Sequence, residues 1–230
     1  MNAMRADDVK PKAGRRPRAE ATPEVIEVVH TIRLLLHGGA TSSLVRSLTG
    51  ARMDMIQTQA EYEGIQFMDR GGRRYRDIAA VLGAVDCHMA ASYFLASYKS
   101  FCAIYESRVD WGAGVVRIDD ADGQGTLVRG AFARALYATR QVMAVEKFTA
   151  LQARMLALSW SEGQVDLVKC PVCPTHYAQL KPGAHAGVAA AGNCPVCRAQ
   201  WAINQGIQPP RVVSSSAAKE TWSRHRSYTL

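Results

Sequence analysis

Residues 170–197, CPVCPTHYAQLKPGAHAGVAAAGNCPVC, carry Cys-Pro-Val-Cys twice, as Cys170/Cys173 and Cys194/Cys197, with twenty residues between the pairs. A CxxC turn aims two thiolates at one point, and two such turns complete the tetrahedral four-sulfur shell of a structural zinc site. The loop between them is rich in Gly, Ala and Pro, and Tyr177, Leu180 and Val188 are its main apolar bulk. A segment with so little to bury cannot order itself without a metal or a cross-link. Rubredoxin-like iron is the alternative ion, because four thiolates from CPVC turns suit it too. A thioredoxin-type redox pair would need a βαβ pattern, which neither turn has. Structural disulfides belong to an oxidising compartment, and the chain carries no signal-peptide pattern. His176 and His185 read as surface histidines, since four thiolates already fill the shell. A closed shell leaves no position for water or substrate, so one zinc per chain is expected as an architectural ion held by Cys170, Cys173, Cys194 and Cys197.

Upstream of the cysteines, Val165–Val168 reads as a short apolar strand leading into the first pair. Two helices precede it, about Thr126–Val145 and Glu146–Ser161, with Leu127, Leu136, Val142, Met143, Leu151, Met155 and Leu158 as core and Gly163 as the stop. Residues 108–125, dense in glycine and aspartate, read as a loop. Asp77 to about Ser107 reads as one long helix, bent near Gly83, and apolar over so much of its circumference that it is the centre of a bundle. Tyr93, Phe94, Tyr98 and Phe101 cannot share one seam, so an aromatic patch is expected to face a partner. Asp86, Cys87 and His88 are consecutive, point about a hundred degrees apart, and read as core packing rather than a catalytic set. Cys87 and Cys102 read as buried thiols.

The N-terminal part is helical as well. Thr22-Pro23 opens a helix with Val25, Val28, Val29, Ile32, Leu35 and Leu36 at helical spacing, closed by Gly38-Gly39. A short helix follows, capped by Ser42 or Ser43 and broken by Gly50. A third runs from about Ala51 to Tyr62, with Met55, Ile56, Gln59 and Tyr62 near one face and Gly64 as its end. Helix, short helix, glycine turn, helix is the order of a helix-turn-helix unit. The third helix has little to read a groove with: Arg52 is its one basic residue, and Asp54, Glu61 and Glu63 oppose phosphate.

The formal net charge is +8 and the pI about 9.4, which favours a polyanionic partner, nucleic acid first. The densest basic run is Asp69-Arg-Gly-Gly-Arg-Arg-Tyr-Arg76. Its glycines admit a backbone close to a ligand, and arginine grips phosphate through two parallel hydrogen bonds. Candidate nucleic-acid contacts are therefore Arg70, Arg73, Arg74 and Arg76, with Arg52 and Arg198. Residues 1–22 and 206–230 read as disordered basic arms flanking a helical domain (23–163) and a zinc-binding ribbon (164–205). No stretch is apolar enough to span a membrane, and a cytoplasmic protein is expected. No phosphate-binding GxxxxGK[ST], HExxH, GxSxG or dinucleotide fingerprint occurs, and an enzyme is not expected.

The order of features resembles the FlhC family, the DNA-binding subunit of the flagellar master transcription activator. The resemblance is carried by His88-Met-Ala-Ala-Ser-Tyr-Phe-Leu95, by Arg154-Met-Leu-Ala-Leu-Ser-Trp160 with Glu162-Gly163, by the four cysteines, and by Leu34-Leu-Leu-His-Gly-Gly-Ala40, which looks like the family's Leu-x-x-x-Gly-Ala-Arg stretch. It covers about residues 24–200. It implies a mainly α body with a zinc ribbon, a hetero-oligomer with a small helical FlhD-like partner, and binding of the assembled complex to double-stranded promoter DNA. The four cysteines match the family's zinc ligands one for one. The chain departs from the family in a longer loop between the cysteine pairs, extra basic tails and a less basic third helix. A zinc-ribbon scaffold that binds protein and no nucleic acid is the alternative expectation.

Overall fold

The structure is a computed structural model that describes residues 22–67, 78–106, 115–120, 123–143, 148–181 and 194–204. The arms and the basic run 69–76, with Arg70, Arg73, Arg74 and Arg76, lie outside the described residues, as does His185.

The described residues are mainly helical. Helices α1 (Pro23–His37), α2 (Ser42–Thr49) and α3 (Met53–Tyr62) pack on one another. Gly50 separates the last two with a φ of 67°, a left-handed conformation that only glycine adopts cheaply. The cap of α2 is Thr41, whose hydroxyl accepts from the Leu44 N–H; Ser42 and Ser43 are already inside the helix. On α3 the buried pair is Ile56 and Ala60, one turn apart, while Met55 and Tyr62 face solvent. Glu63, just past α3, takes Arg33 Nε at 2.7 Å and His37 Nε2 at 2.9 Å and so fastens α3 to α1.

The expected long helix is two: α4 (Ile78–Gly83) and α5 (Val85–Glu106). The chain breaks at Gly83-Ala84, and the Gly83 carbonyl is taken by a side chain from a distant helix, described below. Helix α5 is the axis of the molecule and packs against α4, α6 (Arg129–Val142) and α7 (Ala150–Ser161). Phe94 and Tyr98 are fully buried in a ring cluster with Phe132, Phe148 and Trp160. Tyr93 and Phe101 are half-buried. Of the aromatics expected to face a partner, Phe94 and Tyr98 are therefore buried against Phe132 of the chain's own α6 and Trp160 of its α7.

Residues 108–125 are not simply a loop. Strands β1 (Val115–Asp120) and β2 (Gly123–Val128) form an antiparallel hairpin, Val115 opposite Val128 and Asp120 opposite Gly123. The β-branched Val115, Val116 and Ile118 outweigh the glycine content that suggested a loop. Strand β2 holds residues 126–128, so α6 starts later than expected, and Leu127 enters the core from a strand. Helix α7 also starts late, because Thr149 and Gln152 form a capping box at Ala150. Val142 is exposed at the last turn of α6.

Candidate metal centre

After α7, Gly163 (φ 73°) turns the chain into β3 (Val165–Lys169), which pairs antiparallel with β4 (His176–Leu180). The first cysteine pair sits in the bend between these strands. Cys170 N–H donates to the Thr175 carbonyl at 2.9 Å and closes the hairpin, while Val172 N–H points at Cys170 Sγ at 3.4 Å. The second pair differs from the expected second turn of a ribbon: Cys194 and Cys197 flank and enter the first turn of α8 (Pro195–Asn204). Proline at the first helical position, already written in the repeat, is what lets the same four letters start a helix here.

The four sulfurs lie within 4.8 Å of one another. Cys170 Sγ is 3.7 Å from Cys197 Sγ, and Cys173 Sγ is 3.7 Å from Cys194 Sγ. A tetrahedron with metal–sulfur bonds of about 2.3 Å has an edge of about 3.8 Å, so the cage has the size of a four-thiolate metal shell. The contacts cross between the pairs, each joining the hairpin bend to α8. The small core around the site consists of Cys170, Tyr177 and Cys194, with Val168, Cys173 and Cys197 packed on it. The four cysteines thus make up most of the small core where α8 meets the hairpin. His176 is exposed on β4 and does not join the cage.

The thiols do not ionise alike. The Thr175 side chain and backbone hold the Cys173 thiol down to about 6. Hydrogen bonding with Cys173, then burial and the other two thiols, push Cys197 up to about 12. Burial pushes Cys194 up, partly offset by the Cys197 and Val196 N–H groups at the start of α8. Sulfurs this close cannot all be thiolates unless a cation sits among them. Such a cation must displace protons, and its affinity falls in acid.

A stripe of α5 holds the strands of the cysteine module to the body. His88, Ser92, Leu95 and Lys99 follow helical i, i+4, i+7, i+11 spacing. The pairing of β3 with β4 puts Leu167 opposite Ala178, and the backbone bonds Lys181 N–H to Gln164 O and Cys170 N–H to Thr175 O flank it. By alternation Ala178 is a position whose N–H and C=O point away from β3. Both are buried, and both find α5. Ala178 N–H donates to Ser92 Oγ at 3.0 Å, and His88 Nε2–H donates to Ala178 O at 2.7 Å. Farther along, Lys99 Nζ meets Asp166 Oδ1 at 3.0 Å, and this hydrogen bond holds the Asp166 carboxyl below its ordinary range. Burial, and secondarily Arg198, keep His88 neutral against the pull of its bond to Ala178. A neutral ring donating through Nε2 is what the carbonyl needs. Core packing was the expectation for His88; the strand clamp is its further role. The His-x-x-x-Ser spacing opposite a predicted strand is the signal that could have found it.

The remaining candidates are scattered. Arg52 lies just before α3, pairs with Asp54 at 2.9 Å, and belongs to the α1–α3 unit. Arg198 lies on α8, which packs on α5, and its Nη2 donates to the Gly83 carbonyl at 2.7 Å. Arg198 is thus a tie between α8 and the α4–α5 break. Among the described helices none is long and apolar enough to cross a membrane. No family model, curated protein or solved structure matches the chain. The likeness to the FlhC family therefore stands on this chain's own residues, the four cysteines and the three helical stretches above all.

Proposed function

We propose that the chain is a zinc-dependent DNA-binding subunit of a bacterial transcription activator of the FlhC type, working in a hetero-oligomer with a small helical FlhD-like partner, with flagellar or motility genes as its targets. The observation that carries the reading is the four-sulfur cage clamped to the central helix of a mainly helical body. His88 and Ser92, inside one stretch of the resemblance, hold the strand that follows another. The zinc is structural: it fixes α8 against the hairpin and supplies no open coordination position. The α1–α3 unit is read as a helix-turn-helix that positions the subunit. Arg70, Arg73, Arg74 and Arg76 are read as phosphate contacts, supported by their density beside two glycines and by the net charge of +8. Arg52 and Arg198 are engaged within the fold and rank as secondary contacts.

The test is binding to duplex DNA across a salt series, with the metal-loaded chain purified together with the small helical protein that co-purifies with it. Arg73→Ala with Arg74→Ala should weaken binding to all sequences alike and reduce the salt slope by roughly one for each phosphate no longer neutralised. Salt-independent binding, or none, would favour the second reading, a zinc-bearing protein–protein scaffold. That reading draws on the surface of α8, where Val196, Trp201 and Ile203 are exposed and the one cation is occupied by Gly83.

A further inference from the structure

Helix α6 carries three arginines, Arg129, Arg134 and Arg140, and no carboxylate. Arg129 opens the helix, where the helix dipole disfavours a cation, so stability alone does not ask for it. Helix α6 packs along α1, which sets His30, Arg33 and His37 at i, i+3, i+7 spacing on one exposed edge. The two helices meet along a polar seam. At one end the His37 and Tyr137 rings touch edge to face at 6.2 Å, and Arg140 Nε donates to Gly38 O at 3.3 Å.

Farther toward the start of both helices, Arg134 is exposed yet held in place. Its Nε donates to Tyr105 Oη at 2.9 Å, and its guanidinium lies over the Tyr105 ring, 5.8 Å from the centroid. Among the described residues Arg134 has no carboxylate partner, and its two Nη atoms make no hydrogen bond. Burial, then Arg134 and Arg33, hold the His30 imidazole below its ordinary value, and Glu27 opposes them only in part. Arg33 gives its Nε to Glu63, but the field at His30 is still positive. A guanidinium anchored by Nε, with both Nη atoms to spare beside an imidazole and a second arginine, fits a phosphate group.

We propose that the seam of α1 and α6 carries the phosphodiester backbone of duplex DNA, with one phosphate held by the Nη fork of Arg134 and the His30 ring, and with Arg33 and Arg129 adding to the attraction. This face deepens the duplex-DNA reading and rests on it; it lies on other elements than α3 and the run 69–76. A phosphate there offsets the repulsion between the arginines and His30, so the ring binds its proton more tightly in the complex.

The test titrates a fluorescent duplex with the metal-loaded chain and its co-purified partner across a salt series. Arg134→Met keeps the apolar stem on Tyr105 and removes the fork. It should reduce the salt slope by roughly one, the share of one phosphate. Glu27→Gln removes the opposing charge and should tighten binding at low salt, with the gain fading as salt screens it. The His30 ring resonance, assigned by its loss in His30→Gln, should move toward the protonated position when duplex is added, and should stay put in Arg134→Met. Metal content and thermal midpoint report whether Arg134→Met is folded; if it is not, Glu27→Gln and the His30 resonance of the unaltered chain decide. An unaltered complex that binds no duplex overturns this face and the DNA reading together. Duplex binding whose slope is unchanged in Arg134→Met, with an unmoved His30, overturns this face alone. Displacement of the duplex by inorganic phosphate at constant ionic strength would make the seam a site for free phosphate and overturns it too.

Discussion

Replacing Ser92 by Ala removes one oxygen and leaves the Ala178 N–H of β4 buried without an acceptor. Ala178 is fully buried, and its N–H points away from the β3 ladder, so no strand partner can take over. The Ser92 hydroxyl also donates to His88 O at 2.7 Å, but that carbonyl lies inside α5, where the helix supplies its own donor. The loss is therefore mainly the stranded N–H, worth about 1–3 kcal/mol. That corresponds to roughly a 5- to 150-fold increase in the opening equilibrium of β4 against α5. Amide hydrogen exchange of the metal-loaded protein reads this residue by residue. The Ala178 amide should exchange slowly in the unaltered chain and faster by that factor in Ser92→Ala, while amides of α6 change little. An Ala178 amide that exchanges at the unprotected rate from the start, or is unmoved by the substitution, would refute the clamp.

Glu63→Gln should lower stability at neutral pH by about 1 kcal/mol, since Arg33 and His37 stand partly in solvent. Burial pushes the Glu63 carboxyl up, but His37 and Arg33 together hold it below its ordinary value. The stabilisation is present above the unfolded pKa and vanishes as pH falls through the lower folded one, so denaturation midpoints of the two proteins should converge in acid. Gly38→Ala would set a methyl carbon 2.7 Å from Leu136 Cγ, loosening the α1–α6 seam by about 1–3 kcal/mol, visible as a lower thermal midpoint. Gly163→Ala meets no side chain closer than Lys181 Nζ at 3.8 Å but would hold an L-residue at φ 73°, costing about 1–2 kcal/mol. Metal affinity should fall steeply below neutral pH, because protons compete for the sulfurs; a competition titration with a chelator checks it.

The sequence made the helical body and the cage legible for different reasons. Apolar spacing exposes α1 and α5, and the cysteine repeat exposes the cage, because each is a local pattern. The hairpin of β1 and β2 was hidden by its glycines and aspartates, although the β-branched Val115, Val116 and Ile118 favour a strand there. The late start of α7 was written in Thr149-x-x-Gln152, a cap signal masked by the apolar run beside it. The break at Gly83 was half-visible: a glycine suggested a bend, but its carbonyl's partner, Arg198, is 115 residues away. The clamp of His88 and Ser92 on Ala178 is of the same kind, a contact between segments 86 to 90 residues apart that no local pattern announces. Arg198 is similar: the residue counted toward phosphate on charge alone also ties α8 to the Gly83 carbonyl, a contact its charge does not announce.

A four-thiolate metal ion is expected to organise the module from β3 to α8. Elemental analysis of freshly purified protein, with X-ray absorption at the metal edge, tests it most directly. About one zinc per chain with four sulfur neighbours near 2.3 Å is expected, and Cys173→Ser should lose most of that metal together with the hydrogen-exchange protection of β4. Protein purified without stoichiometric metal, or a Cys173→Ser variant that keeps its full complement, would contradict it.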